Sequence, residues 1–209
     1  MKLLVVGAGD LGKTLAYHID NDTTDDVVGF LDDTLIVGSI VQGKKVVGKI
    51  DDAQLLFNQG IADQFVIAIG YKHFDFRAEV FKNMKNIAPI YKFIHSSSYV
   101  DASTKIGEGV LVFPGCIIDM GCILEDNVLL NTGVVIAHDS IVKKHSFVAP
   151  SVTISGFSEI GEKCFIGTNA TVVDKVKIGN SIQIGAASLV LKSIEKKGLY
   201  IGSPVELKK

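Results

Sequence analysis

The chain lacks any concentration of charge of one sign. Its 209 residues carry 21 Lys and Arg against 23 Asp and Glu, a net charge of −2. A balance of this kind supplies no focused positive field, which argues against a nucleic-acid partner. Long hydrophobic runs are also missing: although 47% of the residues are hydrophobic, no run approaches the ~20 residues of a membrane span. The apolar start Met1-Lys2-Leu3-Leu4-Val5-Val6 imitates a secretion signal, but it stops at Gly7-Ala8-Gly9-Asp10, too early for a normal signal core. A cytoplasmic location is expected, with no membrane association. Cysteine is scarce. Cys116, Cys122 and Cys164 are the only three, and their spacing marks them as core packers in a reducing compartment.

What the chain has is a repeat of six. From Val100, Ile106 and Val112 through to Ile178, Ile184 and Val190, every sixth residue is a branched aliphatic, with no slip. A second register, four residues after each aliphatic, is mostly small or β-branched and includes Val110, Val134, Ser140, Ser158 and all three cysteines. Neither a helix of period 3.6 nor a strand of period 2 produces this pair of registers. A β-helix does, with short strands meeting at corners and each coil resting on the last. Three hexads make an 18-residue triangular coil. Gly follows the aliphatic at Gly107, Gly161, Gly167, Gly179 and Gly185, and these glycines are expected to supply unusual backbone angles at the corners.

Ahead of the repeat, residues 2–7 read as a buried strand, followed by the turn Gly7-Ala8-Gly9-Asp10-Leu11-Gly12 and a helical pattern through Leu15, Ala16 and Ile19. A second strand, Val27–Leu31, ends in Asp32-Asp33. Strand, glycine turn, helix, strand and acid form the first half of a nucleotide-binding α/β fold. Its glycines let backbone approach a phosphate at a helix start. Segment 34–60 reads as a polar connection plus a short helix from Asp51 to Asn58. Further elements are a strand from Gln64 to Gly70, a helix near Asp75–Asn86 and a last strand over Pro89–Ile94. Only one mononucleotide half fits ahead of the repeat, so a single-nucleotide ligand suits the space better than a dinucleotide. A purely structural glycine turn is the alternative.

Within the repeat, His138-Asp139 stands out. His138 lies two residues after Ile136 and two before Ser140, a phase that puts it outside the core near a corner. An imidazole beside a carboxylate can serve as general base, or it can be an ordinary surface pair. One coil on, the equivalent position is Gly156, which leaves room for an extended ligand. His145 occupies a different corner phase. With these two the only histidines in the repeat, a three-histidine zinc site of the kind found in prism-shaped carbonic anhydrases is not expected, nor is any other metal.

These residues carry a resemblance. Gly7-Ala8-Gly9-Asp10-Leu11-Gly12-Lys13, Gly29-Phe30-Leu31-Asp32-Asp33, Ile67-Ala68-Ile69-Gly70, Leu130-Asn131-Thr132-Gly133, His138-Asp139 and Gly202-Ser203-Pro204 together resemble the hexapeptide-repeat sugar acetyltransferases. That group includes sialic acid O-acetyltransferases and bacterial UDP-amino-sugar N-acetyltransferases. The resemblance implies a half-Rossmann-like α/β domain with a parallel sheet over 1–95 and a left-handed parallel β-helix over 96–209. It implies a homotrimer using acetyl-CoA as co-substrate, with His138 as general base and Asp139 as its supporting acid. Phe147, Gly156, Thr168 and Ala186 map onto acetyl-CoA positions. Gly9, Asp10, Leu11, Asp32, Asp33 and Gly70 map onto nucleotide-sugar positions. Leu11 and Phe147 depart from the family, which commonly has His at the first and in some members at the second.

The expected activity is N-acetylation of a nucleotide-linked amino sugar in surface-glycan synthesis. O-acetylation of a sugar or sialic acid is the near alternative, and a non-catalytic sugar-nucleotide-binding trimer is the distant one. The N-terminal domain is expected to hold the sugar nucleotide and the β-helix the thioester. Apolar residues on the outer faces, including Phe113, Val135, Phe147 and Phe165, are expected to be wet in a lone copy and covered in a trimer.

Overall fold

A computed structural model describes residues 1–208, which form two compact units, one from Met1 to Lys92 and one from Phe93 onward. The N-terminal unit is an α/β layer built on strands β1 (Lys2–Val6), β2 (Asp26–Leu31), β3 (Ile40–Val41), β4 (Lys44–Gly48) and β5 (Gln64–Ile67). Helices α1 (Asp10–Asp22), α2 (Ala53–Asn58) and α3 (Phe74–Lys85) connect them. The sheet order is β3-β4-β2-β1-β5. Four neighbours run parallel and β3 alone is antiparallel, pairing with β4. Strands β1 and β5 are apolar along nearly their whole length, as strands covered on both faces must be. Helix α1 buries Gly12, Leu15, Ala16 and Ile19, one stripe at spacings of three and four. The segment read as a polar connection contains the β3–β4 hairpin.

The second unit is a left-handed parallel β-helix with three faces. The six-stranded face runs from Tyr99–Val100 through Ile117–Ile118, Val135–Ile136, Thr153–Ile154 and Thr171–Val172 to Leu189–Val190. A five-stranded face runs from Lys105–Ile106 to Lys177–Ile178, and an eight-stranded face from Phe93–Ile94 to a closing pair, Leu199–Ile201 and Glu206–Leu207. Partners such as Ile118, Ile136 and Ile154 stand directly above one another, so the coil is 18 residues long, as the hexad spacing requires. Ile90 bridges to Phe65 beside the N-terminal sheet, while Phe93–Ile94 already pairs with Leu111–Val112 of the β-helix.

Both registers point inward. From Val112 to Val190 the sixfold aliphatics are buried, together with Val110, Cys116, Val134 and Ala170 of the second register. The polar members of that register do more than fill space. Ser146 Oγ donates to Gly161 O at 2.6 Å and accepts Cys164 N–H at 3.0 Å, while Cys164 Sγ donates to Gly179 O at 3.0 Å. Small donors thus satisfy corner carbonyls that the strand ladders leave over.

Corner geometry differs from the sequence reading. The left-handed residues lie three positions after the aliphatics from Ile106 to Ile184, as at Gly115 (φ 73°), Asn127 (57°), Asp139 (57°), Phe157 (56°) and Asn169 (58°). The glycines one position after it are needed for a different reason. A Cβ on Gly161 would lie 2.6 Å from the carbonyl carbon and oxygen of Gly179, and one on Gly167 would lie 2.6 Å from the carbonyl carbon of Gly185. They keep successive coils in contact. The outer faces also need correction. Phe113 and Phe147 are buried within the single chain, so neither is an apolar group awaiting a partner. The exposed apolar residues of this unit include Tyr99, Ile117, Met120 and Phe157.

Candidate active site

His138 and Asp139 form the corner that follows Val135–Ile136. The corner is tied to the coils on either side: Asp139 N–H donates to Met120 O at 2.9 Å, and Phe157 N–H donates to His138 O at 3.1 Å. From inside the coil, Cys122 Sγ donates to Ala137 O at 3.2 Å. Backbone and core together hold the pair. His138 Nδ1 lies 3.0 Å from Asp139 Oδ2, and both side chains remain close to half exposed. An ionised carboxylate only accepts hydrogen bonds, so in the neutral ring Nδ1 carries the proton and Nε2 keeps its lone pair. That is the tautomer a general base needs.

Two bare backbones flank the pair. A Cβ on Gly156 would lie 2.9 Å from both Cε1 and Nε2 of His138, and a Cβ on Gly121 would lie 2.6 Å from Asp139 Oδ1. The Phe157 ring stands edge-on to His138, with centroids 5.0 Å apart and planes at 88°. Met120, Gly121 and Phe157 were not singled out from the sequence. The 18-residue coil was the available signal, since it stacks Met120 on His138 and both Gly121 and Phe157 on Asp139.

The remaining donor-side positions do not gather at His138. Gly156 follows the six-stranded face, as His138 does, whereas Thr168 and Ala186 precede strands of that face and stand exposed at its opposite edge. Thr168 O accepts Ala187 N–H at 2.8 Å, which stacks those two corners. Phe147 lies on the eight-stranded face, buried, with its ring 5.9 Å from that of Phe165. A cavity of about 450 Å³ lined by Leu191, Ile194, Tyr200, Pro204 and Val205 holds none of these positions. Among the described residues, no group of three or more His, Cys, Asp or Glu is placed to hold a metal ion. No helix there is long and apolar enough to cross a membrane.

In the N-terminal unit the predicted positions converge at the carboxyl ends of β1, β2 and β5. Gly7 (φ 104°) makes the turn, and Gly12 is obligatory because a Cβ there would fall 2.0 Å from Gly7 O. Gly9 is exposed at the start of α1, with open space where a side chain would stand. Asp10 is exposed and pairs with Lys13, Leu11 is half-buried, and Gly70 follows the end of β5. Asp32 is occupied by the turn. Its Oδ2 accepts Ala8 N–H at 2.8 Å, and its Oδ1 accepts Thr34 N–H at 2.8 Å, Thr34 O–H at 2.6 Å and Leu35 N–H at 3.0 Å. Burial works to raise its pKa, but hydrogen bonds from Thr34, Ala8 and Leu35 outweigh it and hold the carboxyl below the usual range. Exposed Asp33 accepts Ile50 N–H at 2.9 Å.

Comparison with known proteins adds relatives for both units. Residues 90–198 match the family described as the GMPPB C-terminal domain, and residues 2–84 match the PglD N-terminal domain. The fold is similar to perosamine N-acetyltransferase from Caulobacter crescentus, solved with CoA and GDP-perosamine. The TM-score is 0.93 at 26% identity, covering 100% of this chain and 97% of that one. It is also similar to the acetyltransferase domain of PglB from Neisseria gonorrhoeae FA1090, solved with acetyl coenzyme A (TM-score 0.87, 27% identity, 99% and 98% covered). Over 67 residues the chain is 33% identical to UDP-3-O-acylglucosamine N-acyltransferase of Delftia acidovorans, covering 32% of this chain. The match spans about a fifth of the length of that relative, 20%.

Proposed function

The chain belongs to the family of the GMPPB C-terminal domain, whose match covers half its length, and from that premise we propose an acetyl-CoA-dependent N-acetyltransferase acting on a nucleotide-linked amino sugar. The observation that carries the reading is the His138–Asp139 pair, 3.0 Å apart beside the bare backbone of Gly156, in a chain similar along its whole length to enzymes solved with CoA.

In the proposed reaction, the acetyl thioester of acetyl-CoA supplies the acyl group. His138 Nε2 takes the proton that the sugar amine loses as its nitrogen bonds to the acyl carbon. The carbon–sulfur bond breaks, and His138 returns the proton to the departing thiolate. Asp139 stabilises the imidazolium between those steps, and Gly156 and Gly121 leave the pair room to hold its geometry. The open turn at Gly9, Asp10 and Leu11, with Asp33 and Gly70 nearby, is the proposed seat of the sugar nucleotide. Free N–H groups and partial positive charge at the start of α1 suit a phosphate. Leu11 contributes no polar group there. Asp32 shapes this seat through Ala8.

The proposed assembly is a homotrimer. Thr168 and Ala186 occupy the opposite edge of the six-stranded face from His138, so a donor groove using all three fits between adjacent copies better than on one. Exposed Tyr99 and Ile117 on that face, and Met120 at its His138 edge, support the same arrangement.

Kinetics test the base. His138→Ala should lower kcat by roughly 10²–10⁴ and leave the acceptor KM largely unchanged. A fully active His138→Ala removes the assignment. Acetylated hydroxyl in place of acetylated amine as the product would turn the reading to O-acetylation.

A further inference from the structure

Phe157 has no role in the reaction as proposed above, yet it touches the proposed base. It is 53% exposed, so it contributes little to the core. Its backbone is left-handed, with φ 56°, at a corner position that elsewhere holds Gly, Asn, Asp, Ser, Lys, Ala or His. The left-handed conformation is the rule at these corners, but a bulky ring is an outlier in it, and strained residues of that kind cluster at functional sites. The ring instead meets His138 edge-on at 5.0 Å and 88°, an arrangement aromatic pairs favour. Its main chain is bonded to the His138 carbonyl at 3.1 Å, so ring and imidazole belong to one corner assembly.

We infer that Phe157 is a positioning residue for His138. Asp139 fixes the imidazole at Nδ1, and the Phe157 ring walls the imidazole so that it cannot rotate away and so that less water reaches it. Nε2 is then presented in one orientation. The inference rests on His138 being the base, and it assigns to Phe157 the part of the orientation that one hydrogen bond from a half-exposed histidine does not secure.

The test uses the full chain with ¹⁵N-labelled histidine and begins without substrate. Phe157→Gly and Phe157→Asn both suit a left-handed backbone, so their melting temperatures should be unchanged or higher. In both variants the His138 ring protons should lose a ring-current shift. The share of the Nδ1–H tautomer should also fall. In steady-state assays with acetyl-CoA and an amino-sugar nucleotide, kcat should drop about tenfold, within the range a displaced catalytic group produces. Both KM values should stay within about twofold, the pattern of positioning rather than ground-state binding. Phe157→Tyr should restore tautomer and kcat. An unchanged His138 tautomer share in a folded Phe157→Gly protein overturns the inference, and so does an unchanged kcat. Failure of the base assignment looks different: His138→Ala would stay active while the tautomer still responded to residue 157.

Discussion

Replacing Gly156 by alanine would bring a methyl carbon to 2.9 Å from both Cε1 and Nε2 of His138. The backbone there is not left-handed, so the penalty falls on the imidazole rather than on the turn. Gly156→Ala is expected to lower kcat by about a hundredfold, the scale of a displaced catalytic group, while melting temperature changes little. An active Gly156→Ala would mean that the imidazole has room the structure does not give it. The cysteines should be chemically silent. Burial pushes the Cys164 thiol up to about 11 and raises those of Cys116 and Cys122 as well, and only thiolates react readily. Alkylation by iodoacetamide at pH 8 should leave all three unmodified in the native protein and modify all three in denaturant. The same residues show what was legible in sequence. The phase of six put His138 outside the core, and a spacing of 18 identified Gly156 beside it. Phe157 and Gly121 obey the same spacing from Asp139 but carry no chemical signature, so only geometry revealed them.

Among the elements, glycine serves the coils in two physically separate ways. Gly167→Ala drives a Cβ to 2.6 Å from backbone of the next coil, and should cost ~3 kcal/mol, the upper end of overpacking. Gly115 (φ 73°) has open space around its missing Cβ, so Gly115→Ala should cost only the left-handed penalty, about 1–2 kcal/mol. Denaturant melts of the two variants compare these directly, and equal losses would contradict the distinction. Sequence spacing located only the glycines one residue after the aliphatics and assigned them the backbone angle that the residues two positions further on carry, because a composition pattern does not distinguish φ from clearance. The hairpin of β3 and β4 was illegible for a related reason: β3 has two residues, too few for a period to show. Asp32 offers a pH test. Its folded pKa lies below the unfolded value of about 3.9, so its stabilisation is complete above about pH 4 and is lost as pH falls through the folded value. The stability gap between wild type and Asp32→Asn should be widest near neutral pH and shrink under acid. A gap that does not change with pH would mean that charge is not what Asp32 contributes.

For the whole molecule, two units of different periodicity were separable in the sequence because a hexad and an α/β alternation cannot be confused. The oligomer was less legible. Two of the four outer-face residues that pointed to it, Phe113 and Phe147, prove to be buried in one chain. The position of Thr168 and Ala186 across a face from His138 now bears that proposal. Light scattering at micromolar concentration should give three chains per particle, and a monomer would contradict the shared groove. The most direct measurement is of the reaction itself. Wild-type protein and His138→Ala, each with acetyl-CoA, would be incubated with GDP-, UDP- and dTDP-linked amino sugars and the products read by mass spectrometry. One nucleotide sugar should gain a single acetyl group on its amine with wild type and at most a trace with His138→Ala. No acetylated product from any of the three, or equal product from both proteins, would contradict the assignment.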